Sequence, residues 1–494
     1  AAALLLATGA GSALAQSYLD LEKQVQEFTL PNGLTVLVLE RPEVPVFSFN
    51  TYVDAGSANE VQGITGIAHI LEHMAFKGTA EIGTRDPKGE RAAMAAEDAA
   101  FAALRAERLK GALADTASLR ELEAAFAAAK DAARAFVVSN EFGQIVESNG
   151  GVGLNAGTGA DATNYYYSLP ANRLELWAYL EGQRMARPVL REFYTEKDGP
   201  VTEERRMRTD NNPIGMLFEQ FQNMAFSAHP YQHAVIGYMS DLQNISRADC
   251  EQFYRDHYVG NNLSCAVVGA VTRAEVERVA RKHLSQIPGP AAPPEVVTVE
   301  PEQKGEKRLV VEHTSQPIVF MGFHKGGIND PDDAVHDAIS DILGRGRTSR
   351  LYKALVKEKK LAVAAGAGSG FPGSKYPNLI LVYGVPVKDV DPEDVERAVI
   401  EEIDRLADGG ATADELAGYK RRARADFIRS LQGNMGLAIQ LNFYQMQTGN
   451  WRNLFRQLEK IDAVTLDDVQ RVAGAVLQAK NRTVALLKTA ETEA

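Results

Sequence analysis

Two histidines and a glutamate fall within five consecutive residues, His69-Ile70-Leu71-Glu72-His73. On a helix His69 and His73 lie one turn apart on the same face, where both ring nitrogens can reach one ion, and Glu72 sits beside them. Zinc lowers the pKa of a bound water to about 7, and a carboxylate within reach can take that water's proton as it attacks a carbonyl. The chemistry implied is peptide hydrolysis, with Glu72 as the catalytic base. A pentapeptide alone is a moderate signal, and the site needs a third ligand. The acidic helix Glu196-Lys197-Asp198-Gly199-Pro200-Val201-Thr202-Glu203-Glu204-Arg205-Arg206 can supply it, leaving a fourth position open for water. Glu203 and Glu204 project about 100° apart, so only one faces the ion, and periodicity does not say which.

The elements that must position these groups belong to a long chain. Its 494 residues exceed what one core usually organises, so two or more domains are expected. Lys and Arg number 53 against 65 Asp and Glu, a net charge of −12, with no basic run of the kind that tracks phosphates. Nucleic acid is therefore not an expected partner. Residues 1–15 are small and apolar and end in Ala13-Leu14-Ala15 before Gln16, the pattern of a signal-peptide remnant. No other stretch approaches the roughly 20 apolar residues of a membrane span, so an exported protein, periplasmic or secreted, is expected. Cys250 and Cys265 read as buried small apolar groups rather than zinc ligands.

The chain reads as two related halves. Pro45-Val46-Phe47-Ser48-Phe49 leads to Gly56, and Pro317-Ile318-Val319-Phe320-Met321 leads to Gly326 and Gly327; the two prolines are 272 positions apart. Near the end of each half a capped helix precedes a strand, beginning at Ile245 and at Val464, which are 219 positions apart. If the halves are duplicates, the first holds 272 − 219 = 53 residues that the second lacks. The Ala-rich, Pro-free stretch from Arg91 to Val138 accounts for them. Leu122, Phe126, Ala129, Ala133 and Phe136 fall at helical spacing there, and Ser118-Leu119-Arg120-Glu121 reads as a capping box opening a second helix. We expect a self-packing helical hairpin inserted at about 89–144. The Pro-rich stretch from Gln286 to Pro294 marks a linker, 286–305, between a metal-binding domain, 16–285, and a second homologous domain, 306–494, without the metal motif. The fold class expected is α+β: two homologous domains, each a mainly antiparallel sheet with a layer of helices on one face.

His-x-x-Glu-His is the inverzincin signature, and the run from Gly66 through His69, Glu72 and His73 to Lys77-Gly78-Thr79 resembles the pitrilysin-type metallopeptidases, which include mitochondrial processing peptidase and insulin-degrading enzyme. Asn155-Ala156-Gly157-Thr158 with Asp161, Thr163 and Tyr165 is similar to the family's N-A-x-T-x-x-D-x-T-x-Y segment, and Val201-Thr202-Glu203-Glu204 to its metal-binding V-x-x-E. The similarity runs from about Phe28 to Lys488. It implies that His69, His73 and Glu204 bind one Zn2+ per chain, that Glu72 is the base, and that Glu196 orients a ligand histidine; Glu203 is the fallback ligand. It further implies that Asn155 and Ala156 lie on an edge strand that pairs with extended peptide. The remaining histidines, His229, His233, His257, His283, His313, His324 and His336, are expected to be structural.

The second half departs from the family. No second His-x-x-Glu-His stands near Ala338 to Asp341. Where many active members carry an Arg and a Tyr that stabilise the oxyanion, this chain reads Val356-Lys357-Glu358-Lys359-Lys360-Leu361-Ala362-Val363, with Val363 at the tyrosine position. A paralogous subunit that donates both across a heterodimer is the expected partner. A homodimer using Lys357 or Arg350 is the second choice. The function expected is a zinc endopeptidase acting on peptides or unfolded chains; the alternatives are a catalytically inert assembly subunit and a metal-storage protein.

Overall fold

A computed structural model describes residues 20–490, so the leader expected over 1–15 lies outside the described residues. The first domain is built on strands β1 (Gln26–Thr29), β2 (Thr35–Glu40), β3 (Val46–Val53), β4 (Val152–Thr158), β5 (Thr163–Pro170) and β6 (Leu263–Gly269). The second is built on β7 (Lys307–His313), β8 (Ile318–Lys325), β9 (Ala362–Phe371), β10 (Asn378–Pro386) and β11 (Arg482–Thr489). The sheet orders are β1-β2-β6-β3-β5-β4 and β7-β11-β8-β10-β9. Apart from the additional edge strand β1 the two are the same sheet. In each, one parallel pair, β2 with β6 and β7 with β11, joins an otherwise antiparallel arrangement.

The helices of the first domain that matter here are α1 (Ile67–Met74), α2 (Pro87–Arg108), α3 (Thr116–Arg134), α4 (Pro213–Ala225) and α5 (Arg247–His257). Those of the second are α6 (Asp333–Gly344), α7 (Ala413–Ser430), α8 (Asn434–Thr448) and α9 (Leu466–Val476). The helices that precede β6 and β11 in sequence, α5 and α9, both start with capping boxes, at Ser246 and Thr465, so the sequence pattern that related the halves is a local hydrogen-bond device used twice.

Helices cover both faces of each sheet, where the sequence predicted one. The second face is covered by exchange. Leu437, Ala438 and Leu441 of α8 pack against Leu37 and Leu39 of β2 and Ala266 and Val268 of β6. Leu217, Phe221 and Ala225 of α4 in turn pack against Ile318, Phe320, Ala485 and Leu487 of the second sheet. Polar groups lock the exchange. Asn442 Nδ2 donates to the Asn50 carbonyl at 2.6 Å and to Asn50 Oδ1 at 2.8 Å, and its Oδ1 accepts from Ser264 Oγ at 2.8 Å. A buried amide without those partners would cost roughly 1–3 kcal/mol, so this pairing is specific as well as close.

Helices α2 and α3 pair as a hairpin, with Phe101, Leu104, Phe126 and Ala133 buried along it. The second helix starts earlier than the capping-box pattern suggested. Asp115, not Ser118, is its N-cap and accepts from the Ser118 N–H at 2.7 Å. The competition is local: an aspartate three residues upstream caps the helix one turn earlier and places Ser118 inside its first turn.

Candidate metal centre

Helix α1 begins without a side-chain cap of its own. Gly66 at its N-terminus has φ +92°, and a Cβ there would meet the Ile236 carbonyl at 2.7 Å, so only glycine fits. The capping is done at a distance by Glu60, which is buried and accepts from the Gly66 N–H at 2.8 Å and the Ala68 N–H at 2.9 Å. A carboxylate at a helix N-terminus is electrostatically favoured. It fixes the first turn, from which His69 projects.

The second contributor is the run 193–210. An α-turn, Phe193–Glu196, is followed without a break by a π-turn, Lys197–Val201, an α-turn, Thr202–Arg205, and a second π-turn, Arg206–Asp210. Gly199 and Pro200 are accommodated inside the first π-turn. Pro200 has no N–H to offer, and the Thr202 hydroxyl donates to the Lys197 carbonyl at 2.7 Å. This changes which residues share a face. Eight residues of straight α-helix separate Glu196 and Glu204 by about 80°; a π-turn holds one extra residue and reduces that to about 20°. Both carboxylates therefore face α1.

They meet it at different atoms. Glu204 Oε2 lies 3.6 Å from His69 Nε2 and 3.7 Å from His73 Nε2. One atom from each of the three side chains lies within 4.8 Å of the others, the one such group of His, Cys, Asp or Glu among the described residues. Glu196 Oε1 sits 3.0 Å from His73 Nδ1, and Glu196 Oε2 accepts from Lys77 Nζ at 2.6 Å. Glu203 is turned to solvent and pairs with Arg206. Glu204 Oε1 is held by Arg208 at 2.9 Å. Glu72 Oε2 accepts from the Thr158 hydroxyl at 2.6 Å.

Protonation follows from these contacts. Burial, with His73 and Arg208 nearby, pushes His69 down to about 3, so its imidazole is neutral. Burial alone would lower His73, but Glu196, Glu72 and Glu204 outweigh it and raise the group. Burial raises Glu72, partly offset by Thr158, so its carboxyl is a stronger base than a solvated one. Burial would raise Glu196 too, but His73 and Lys77 hold it below the ordinary range.

A zinc ion fits this arrangement for a reason visible in the acceptors. His73 meets Glu196 through Nδ1, which turns its Nε2 toward Glu204, and the neutral His69 turns its own Nε2 to the same carboxylate oxygen. Two imidazole nitrogens and a carboxylate oxygen thus converge, and two nitrogens with one oxygen are zinc's donor set.

Asn155 and Ala156 stand on β4, the edge strand of the first sheet, paired on one side with Tyr166 and Tyr165 of β5. The ladder is irregular between Val152 and Asn155, a bulge next to the site. Thr158 ends the same strand, so the residue that holds Glu72 belongs to the segment that carries Asn155 and Ala156. Among the second-choice clamps, Arg350 is committed elsewhere: it makes two 2.8 Å bonds to Glu415 and one of 2.9 Å to the Gly410 carbonyl. Val363 is exposed near the start of β9.

Sequence reasoning assigned no role to Thr158, Lys77, Arg208 or Glu60. Lys77 and Arg208 each stand four residues after a site residue, His73 and Glu204, a spacing that marks neighbours on a helix face. The bond from Thr158 to Glu72 and the capping by Glu60 depend on tertiary contacts that no spacing reveals.

Residues 35–104 match the family model described as insulinase (peptidase family M16), and residues 244–423 the one described as peptidase M16 inactive domain. The chain is 29% identical to a Helicobacter pylori protein named zinc protease PqqE, over 98% of this chain and 97% of that one. It is 23% identical to the mitochondrial-processing peptidase subunit beta of Lentinula edodes, over 92% of this chain and 87% of that one. The crystal structure of a protease from Helicobacter pylori superimposes with a TM-score of 0.78 at 27% identity, covering 94% of this chain and 99% of that one.

Proposed function

Because the chain belongs to the M16 family of insulinase- and pitrilysin-type zinc proteases, we propose that it is a zinc-dependent endopeptidase that hydrolyses peptides or unfolded polypeptides, exported to the periplasm or beyond. The observation that carries this reading is the convergence of His69 Nε2, His73 Nε2 and Glu204 Oε2 beside a buried carboxylate, Glu72, held by the Thr158 hydroxyl. His69, His73 and Glu204 hold one zinc, and Glu72 is the general base.

Zinc bound there supplies Lewis acidity, polarising the scissile carbonyl and making water acidic enough to lose a proton near neutral pH. The Thr158 hydroxyl on Oε2 orients the Glu72 carboxylate, which receives the proton of the attacking water. Burial favours the protonated carboxyl and lets Glu72 keep that proton until the leaving amine takes it. Glu196 holds the His73 ring by Nδ1 and keeps Nε2 unprotonated. Extended substrate pairs with the open edge of β4 at Asn155 and Ala156, which places its backbone alongside Thr158 and hence Glu72.

The oxyanion-stabilising Arg and Tyr come from a second subunit, a paralogue that lacks the zinc motif. The exposed Val363 and the commitment of Arg350 to Glu415 support that division of labour. An inert subunit has no need of a base oriented by its own threonine. The test is Glu72→Gln, assayed with a quenched peptide and for metal content, with and without the paralogue. Bound zinc is expected to stay at the wild-type level while turnover falls by about 10²–10⁴. Unchanged turnover would remove Glu72 as the base, and a zinc-loaded wild type with no turnover in either condition would remove the peptidase assignment.

A further inference from the structure

The hairpin α2–α3 is the largest difference between the two domains: the first domain carries it between α1 and β4, where the second has only the π-turn Tyr352–Glu358 between α6 and β9. Its inward face is not that of a self-contained apolar pair. On α2, Glu90 and Glu97 are buried beside Met94, Phe101 and Leu104.

Glu90 and Asp98 of this helix bind the chain at the entry to the run 193–210, and Glu97 binds Arg247 of α5. Glu90 takes Arg191 at two points, Oε1 to Nε at 2.8 Å and Oε2 to Nη2 at 3.1 Å. The same guanidinium donates to the carbonyls of Thr79 at 2.6 Å and Ile82 at 2.8 Å, and to that of Lys77. Asp98 accepts from the Tyr194 hydroxyl at 2.9 Å and from Arg247 at 2.8 Å, and Arg247 also pairs with Glu97. Lys197 lies over the Phe101 ring at 4.9 Å. Tyr194 belongs to the single turn that ends in Glu196. Glu196 has two partners in the site, His73 and Lys77, and the Lys77 carbonyl is itself held by Arg191.

We infer that the inserted hairpin is a clamp on the turn that presents Glu196 to His73, with Asp98 acting through Tyr194, and Glu90 through Arg191, as positioning residues for the metal centre. This rests on the metal reading above. It gives an insertion absent from the second domain a task that only the metal-bearing domain has. A single hydroxyl carries the contact from Asp98 to the Glu196 turn, so the clamp can be loosened without disturbing the fold: in Tyr194→Phe the ring still stacks on Phe101 and Phe126, at 4.5 and 5.2 Å between centroids.

The test is a zinc competition titration against a chromophoric chelator, with melting curves in parallel, for wild type, Tyr194→Phe, Asp98→Asn, Glu196→Gln and the Tyr194→Phe/Glu196→Gln pair. Loss of the direct partner in Glu196→Gln is expected to weaken zinc about 10–100-fold. Tyr194→Phe and Asp98→Asn, one bond further out, should weaken it by about 3–10-fold. The double variant should be no weaker than Glu196→Gln alone, because both changes break one chain of contacts. Wild-type affinity in both Tyr194→Phe and Asp98→Asn, or losses that add in the double variant, would overturn the clamp while leaving the metal reading standing. A wild-type chain that binds no zinc would overturn both.

Discussion

The same sheet, met twice in one chain, has opposite electrostatics at corresponding places. The 272-residue offset that relates β3 to β8 carries His69 onto Asp341 of α6. There Asp341 is buried and accepts from Arg422 of α7, with Nε at 3.2 Å and a second bond through Nη2. In the second domain Asp341 has found its opposite within the protein. In the first, ligand atoms of His69, His73 and Glu204 converge within 4.8 Å of one another, an arrangement that can hold a metal ion. The comparison teaches that the scaffold does not decide the chemistry. What sets the first copy apart is the convergence of two imidazoles and a carboxylate in place of an internal ion pair.

That contrast can be broken by substitutions of similar kind in the two places, made in metal-free protein. Asp341→Ala strands the Arg422 guanidinium and should cost about 1–3 kcal/mol in denaturant unfolding. Glu204→Gln loses an ion pair to the exposed Arg208 and should leave metal-free stability within about 0.5 kcal/mol of wild type. If Glu204→Gln costs as much as Asp341→Ala, the first site is an ordinary satisfied network and the contrast fails.

A smaller effect sharpens the second domain's structural character. Burial would raise the Glu415 carboxyl, but the bonds from Arg350 and from Thr412 dominate and hold it at about 2. A folded-state pKa below the unfolded value contributes stability above the unfolded value, near 4.5, and loses it as pH falls toward 2. Arg350→Ala should therefore lower the melting temperature at pH 6 and shrink the difference between pH 6 and pH 3, with no change in peptide turnover. A fall in turnover at unchanged stability would return Arg350 to the active site.

Much of this was legible in the chain because it is local or periodic. The pairing of His69 with His73 follows from one helical turn, and the hairpin from the mismatch of two repeat offsets. The likeness of β3 to β8 and of β6 to β11 follows from alternating strands beside capped helices. What sequence could not give are features made by distant segments. Spacing left Glu203 and Glu204 equal; the side-chain partners divide them, since Arg206 draws Glu203 to solvent. A straight helix would have put Glu196 and Glu204 on different faces, and the π-turn around Pro200 aligns them. The exchange of α4 and α8 between sheets was invisible because an amphipathic helix shows that it has an apolar face, not which sheet will cover it.

The central claim is that Glu204, with His69 and His73, closes the site around one zinc. Bound zinc per chain, measured by elemental analysis of Glu203→Gln and Glu204→Gln purified side by side, tests it directly. The account predicts one zinc in Glu203→Gln and close to none in Glu204→Gln. Zinc retained in Glu204→Gln and lost in Glu203→Gln would contradict it.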